Sequence, residues 1–162
     1  MGHRIIQGLQ WAKGPMGKPR TIPASRATGV RRKGLLYEKA LGKSIPEAKP
    51  GLWWEFEDKF GHGWCQTDLV LKLFQDLLLV LESKLTWTPE AHQQLELLYK
   101  PVLELATGRK IIGVAVAKNL LRGMPKVVKV TDSLPEAVAI ARTGAPVVLH
   151  WIGLTTIEAS GL

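Results

Sequence analysis

The sequence predicts an α/β fold, a mixed central sheet flanked by helices, and three observations carry that prediction. Residues 52–57, 64–73 and 77–87 are apolar or aromatic runs separated by turn residues. Thr88-Pro89-Glu90, directly after them, is a strong helix start. Strand-like runs at 111–117, 127–131 and 146–151 then alternate with a helical pattern at 134–142. The 162 residues, 46% of them hydrophobic, suffice for one core and are too few for two. The domain expected spans 34–162, preceded by a basic arm over 1–33.

Residues 8–33 contain Lys13-Gly14-Pro15-Met16-Gly17-Lys18-Pro19-Arg20, whose glycines and prolines oppose helix and sheet alike, so the arm should be extended. From Lys33 a short helix follows, with Leu35, Leu36 and Ala40 on its apolar stripe, Tyr37 and Leu41 as further members, and Glu38 off its centre. Residues 43–51, with two prolines and a closing glycine, read as a loop. The runs 52–57 and 64–73 flank a turn at 58–63 with two glycines and form a hairpin. Residues 77–87 are apolar nearly throughout, the pattern of a central strand buried on both faces. Thr88 caps the next helix, Pro89 takes its first position and Glu90 its first turn. That helix should reach about Tyr99, and Pro101 should kink or end it, although residues 102–106 could continue as a further turn.

The net charge of +8 is concentrated at one end. Residues 1–37 carry Arg4, Lys13, Lys18, Arg20, Arg26, Arg31, Arg32 and Lys33 with no acid, whereas 38–162 hold fourteen of each sign. Such a segment suits a polyanion, with Lys13, Lys18, Arg20, Arg26, Arg31, Arg32 and Lys33 as the expected DNA contacts; the plainer reading is a solubilising tail. No run is long and apolar enough to span a bilayer, and the N-terminus lacks the apolar core of a signal peptide. A soluble cytoplasmic protein with no membrane partner is therefore expected. A single cysteine, Cys65, excludes an internal disulfide or a structural zinc site and reads as a buried, inert thiol.

Chemistry can be argued from Asp68 and from Glu82-Ser83-Lys84. On a strand, residues two apart share a face, so Glu82 and Lys84 stand side by side. Charge that interrupts a buried strand is costly unless the groups pair with each other, a metal or water. Acids on neighbouring strands suit a hard cation such as Mg2+, with Mn2+ as a substitute. The Ser83 carbonyl can join them, and Lys84 can hold an attacking water or offset charge on a phosphorus centre. A solvated salt bridge at a strand end is the plainer reading of an isolated Glu-x-Lys.

Lys33-Gly34-Leu35-Leu36-Tyr37-Glu38, Asp68 and Glu82-Ser83-Lys84 together resemble the PD-(D/E)xK nuclease superfamily. The Lys-Gly-x-x-x-Glu opening is similar to that of archaeal-type Holliday-junction resolvases and their viral relatives. The resemblance covers residues 31 to about 99 and implies a restriction-endonuclease-like core of a helix, a three-stranded antiparallel meander, a helix and a further strand. It implies Glu38, Asp68 and Glu82 as metal-holding acids, Lys84 as the catalytic lysine, and Gln94 as a helix-borne glutamine near the site. The activity implied is Mg2+-dependent endonucleolytic resolution of four-way DNA junctions. A homodimer would match the two symmetric cuts, working in the cytoplasm, that of a bacterial host for a phage-encoded enzyme.

Two departures stand out. Thr67 rather than proline precedes Asp68, and Gln94 and Tyr99 are spaced more widely than the glutamine and tyrosine of the superfamily's recombination exonucleases, which argues against an exonuclease. The alternatives are another endonuclease of the superfamily acting on branched or duplex DNA, and a non-catalytic nucleic-acid-binding protein whose carboxylates are structural. Trp53, Trp54, Trp64 and Trp87 read as core or subunit interface before they read as stacking platforms. Glu55, Glu57 and Asp58 read as the solvated side of a strand, His62 as an exposed loop residue, and His92 as able to approach a phosphate. Residues 110–162 carry no motif.

Overall fold

The computed structural model describes residues 4–22, 29–153, 157–158 and 162. Strands β1 (Trp11–Met16), β2 (Lys49–Asp58), β3 (Gly61–Phe74) and β4 (Leu77–Thr86) are antiparallel neighbours in chain order. Strands β5 (Lys110–Asn119), β6 (Lys129–Thr131) and β7 (Val147–His150) extend the sheet parallel to β4, in the order β1-β2-β3-β4-β5-β7-β6. Helices α1 (Gly29–Ser44) and α4 (Leu134–Arg142) pack on one face. The other face is covered by α2 (Glu90–Gln94), a π-helical turn (Leu95–Tyr99) and α3 (Lys100–Thr107), which follow one another without a break. Among the described residues no helix is long and apolar enough to cross a membrane.

The mixed sheet flanked by helices is thus the architecture the sequence predicts, and β4 is its centre. Leu79 and Leu81 enter the core beneath α1, Leu78 and Val80 the core beneath α2 and α3, so both faces of the strand are apolar. On α1 Tyr37 and Leu41 are buried one helical turn apart, and Ile45, just past its end, continues the same stripe. Leu35 and Leu36, expected on the apolar stripe, face solvent at 48% and 55% exposure.

The expected boundary at residue 33 is corrected. Trp11–Met16 pairs with β2 as an edge strand, tolerating Pro15 because an edge strand leaves half its donors unused, and α1 begins at Gly29. The segment before β1 is also built in. Arg4 is ion-paired with the buried Asp58 and donates to the carbonyls of Gly61 and His62, which ties the segment to the β2–β3 turn. Asp58, expected on a solvated face, is therefore the anchor of that segment. Burial favours its neutral form, but hydrogen bonds from Arg4 and the amides of Gln7 and Phe60 outweigh this and hold its carboxyl below the usual range.

Helical structure continues past Pro101, as Lys100–Thr107 follows the π turn directly. A proline removes the amide that would bond to the carbonyl four residues earlier, here Leu97, and the amide of Ile6 donates to that carbonyl instead, at 3.1 Å. The chain then continues through α3 to Gly108, whose left-handed backbone closes the helix on the Glu104 carbonyl.

Candidate active site

The site lies where the sheet forks. β3 and β4 pair from Phe74 and Leu77 up to Leu69 and Leu81, and no further. Beyond that point β4 stays with β5, placing Glu82, Ser83 and Lys84 in register with Ala115, Val116 and Ala117, while β3 stays with β2 through Leu52 and Thr67. Gly51 sits opposite Asp68, between the paired Pro50–Leu69 and Leu52–Thr67, with φ at +62°, a conformation that a side chain would strain. Side-chain alternation along β3 shifts there: Cys65 packs with Trp54, whereas Leu69, four residues on, packs with Tyr37 and Leu41. Asp68 takes over the hydrogen bonding that the fork interrupts, its Oδ2 accepting from the Ser83 amide at 2.8 Å and the Ser83 hydroxyl at 2.9 Å. Ser83, whose carbonyl the sequence offers as a ligand, engages the cluster through these two donors.

Glu38 reaches the fork from α1. Burial, then the charge of Asp68 and a hydrogen bond to it, push its carboxyl up to about 8, against the pull of the Lys84 ammonium. Glu82 is only 2% exposed, and burial followed by the same influence of Asp68 raises its carboxyl well above the usual range. Two carboxyls that share a hydrogen bond need a proton between them, so in the metal-free protein Glu38 and Glu82 are the groups that carry protons toward Asp68. Lys84 lies close enough to lower both.

The buried Oε2 of Glu82 has no hydrogen-bond partner. Among the described residues no three His, Cys, Asp or Glu side chains are spaced to hold a metal ion as they stand. The donor set is nevertheless the right one for a hard cation: three carboxyls, two of them raised by burial and then by the charge of Asp68, and one buried oxygen without a partner.

From the opposite face the π turn brings in Gln94 and Tyr99. In an α-helix residues five apart diverge by about 140°; the widened turn, with the Lys100 amide bonding back five residues to the Leu95 carbonyl, aligns them. Gln94 Nε2 donates to the Tyr99 hydroxyl at 2.6 Å, and that hydroxyl donates to the Gln66 carbonyl on β3 at 2.9 Å. Burial, then the charges of Glu82 and Asp68, raise the Tyr99 phenol, which puts it beside the acids. Gln94 Oε1 is buried and unpartnered, a second free oxygen among the described residues. Gly113 lets the turn approach: a Cβ there would lie 2.9 Å from a Leu95 methyl. The wide Gln94–Tyr99 spacing therefore does not separate the two residues.

Other expected residues stand elsewhere. Glu55 is bound by Lys13 at 3.1 Å and His62 at 2.6 Å on the outer face of the sheet, which removes it from any metal and Lys13 from the free cations. His92 accepts from the Trp87 indole at 3.0 Å, and burial lowers its pKa, so it is a neutral packing partner. Trp54 and Trp87 are core; Trp53 and Trp64 are half-buried on the outer face. Cys65 is buried, with its thiol pushed up to about 12 by burial. Lys18 and Arg20 are exposed, as are Arg31, Arg32 and Lys33 on the first turns of α1, next to Glu38; Arg26 lies outside the described residues.

A second basic run escaped the sequence reading. Residues 105–131 hold six bases and no acid, and Lys118 among them follows Ala117, which is in register with Lys84. The signal was present, hidden because the charges of 38–162 cancel in total. No family model, curated protein or solved structure matches the chain.

Proposed function

We propose that the protein is a divalent-metal-dependent DNA nuclease of the PD-(D/E)xK type, with Glu38, Asp68, Glu82 and Lys84 as its reaction centre. The observation that carries this reading is the convergence of three carboxyls and one ammonium at the fork, two of the carboxyls raised by burial and by the charge of Asp68 and one of their buried oxygens unpartnered. A purely structural cluster would be expected to satisfy its buried oxygens within the fold. Glu38, Asp68 and Glu82 would hold Mg2+, which lowers the pKa of a bound water and offsets phosphate charge. Ser83 orients Asp68 through two hydrogen bonds. Lys84 supplies positive charge where negative charge grows on the phosphorus oxygens. Gln94, fixed by Tyr99 and with its carbonyl oxygen unpartnered, would assist at the same centre. The basic residues from Lys18 to Lys33, with the run from Lys118 to Lys129, would take the DNA backbone on either side.

Within this class the reading is a homodimeric Holliday-junction resolvase, supported by the Lys33-Gly34 to Glu38 opening. A second reading, a nuclease working from strand ends, gains from the aligned Gln94 and Tyr99, since the spacing that argued against it is closed by the π turn. The test is incubation with a four-way junction and with a linear duplex, each labelled on every strand in turn, with Mg2+ and with EDTA. Paired incisions at the branch by a dimer support the resolvase, and stepwise shortening from ends supports the second reading. Asp68→Ala, Glu82→Ala and Lys84→Ala should each abolish cutting with DNA affinity retained. Undiminished cutting by all three would remove the assigned centre.

A further inference from the structure

Beside the acid cluster, α1 presents a face that the fold leaves uncovered. Arg32, Leu36, Lys39 and Lys43 recur at helical spacing on the side away from the buried Tyr37, Leu41 and Ile45, with Leu35 next to them. They line a groove of about 690 Å3 whose far wall is Pro50 and Gly51 and whose inner end is Glu38. None of the three cations is ion-paired with a described residue. Two features need explaining together: unneutralised positive charge along the rim, and two adjacent leucines half open to water within the groove.

We infer that this groove receives the unpaired strand of branched or frayed DNA and leads it to the acid cluster, with Lys39 and Lys43 on the phosphates and Leu35 and Leu36 against the bases. The inference rests on the nuclease reading and adds to it the form of DNA recognised. Its volume is that of a small-ligand pocket, about 300–1,000 Å3, which admits a few nucleotides and excludes a duplex. A duplex keeps its base faces stacked and would leave the leucines against water, whereas an unstacked base offers them an apolar surface. Gly51 serves twice, since the backbone that forks the sheet at Asp68 also forms the wall of the groove. The strand and the acids are thereby brought together by one feature of the fold.

The test is metal-free binding in EDTA, read by fluorescence anisotropy, with two probes: a blunt duplex, and the same duplex carrying a single-stranded tail. The variants are Lys39→Gln with Lys43→Gln, and Leu35→Ser with Leu36→Ser, all at exposed positions, with melting temperatures as the check on folding. Wild type should prefer the tailed probe. The lysine pair should lower the log–log salt slope for that probe by about 1.4, at about 0.7 per single-strand phosphate contact. The leucine pair should weaken the tailed probe about tenfold, as expected for losing one buried leucine contact, and leave the blunt duplex unchanged. Equal losses on both probes, or no loss on either, would overturn the groove assignment. Wild type that binds neither probe would overturn the nuclease reading as well. Wild type that cuts in Mg2+ while both variants bind like it would overturn the groove alone.

Discussion

Metal-free protein should lose stability as the pH rises from about 5 to 8, and Glu38 should account for much of the slope. Its carboxyl titrates at about 8 in the folded chain against 4.5 when exposed. The folded state therefore holds a proton that the unfolded state has already released, and raising the pH through this window favours unfolding. The stabilisation is complete below the lower value and is gone once the pH passes the upper one. At about 1.36 kcal/mol per pH unit the difference sets a ceiling near 5 kcal/mol. Glu38 is partly open to water, which screens its surroundings, so about 2 kcal/mol is the reasonable expectation. In a chain of this size that is a fall of about 4–8 °C in melting temperature.

The assay is a series of thermal melts in EDTA from pH 5 to 8 on wild type and on Glu38→Gln, which keeps the shape and removes the titration. The variant should show a flatter profile, with a residual slope from Glu82, shifted in the same direction. Excess Mg2+ at pH 8 should restore the wild-type melting temperature, because a cation can replace the protons. Parallel profiles for the two proteins would show that Glu38 is not linked to folding through its proton, and the crowded-carboxyl account would fall with that result.

Tyr99→Phe removes the hydroxyl that joins Gln94 to the Gln66 carbonyl and should cost about 1–2 kcal/mol by urea unfolding; an unchanged midpoint would mean that the pair does not brace the site. Gly113→Val forces a side chain against Leu95 and should cost about 1–3 kcal/mol while reducing cleavage more than DNA affinity, measured on the same preparation. A variant as active as wild type would show that the π turn need not approach the sheet so closely. Arg4→Ala strips the partner from the buried Asp58 carboxylate and should destabilise by about 2 kcal/mol at pH 7 and by less near pH 3, where Asp58 without its partner can take up a proton. Equal losses at both pH values would assign Arg4 a packing role.

The fold was legible wherever local pattern and tertiary packing agree. β4 announced itself as central through its apolar run, and α4 through the helical pattern over 134–142, which the structure matches as Leu134–Arg142. The acids at the fork were legible too, because Glu82 breaks that run and a charge on a buried strand is costly unless it is paired. Trp11–Met16 was hidden because glycine and proline mark a breaker, and only the partner strand β2 reveals that the breaker lies on a sheet edge. The π turn was hidden for a related reason. Its sequence reads as ordinary helix, and it depends on Gly113 on β5 and on Ile6 near the N-terminus, contacts that no local window contains.

The fork also bears on when in folding the protein can become active. The hairpins β2–β3 and β3–β4 join neighbours in sequence and can form early, whereas the parallel pairing of β4 with β5 must wait for the whole α2–α3 crossover to close. Asp68 belongs to the first group, Glu82 and Lys84 to the strand both groups share, and Gln94 and Tyr99 to the crossover. A chain arrested after the hairpins would possess two of the acids and neither the wall nor the bracing residues of the site. On the nuclease reading proposed above, such a chain would be inert while nascent or partly unfolded and would be switched on by its own last folding step. Pulse-labelled refolding should accordingly show amide protection in β2 and β3 before any cleavage returns.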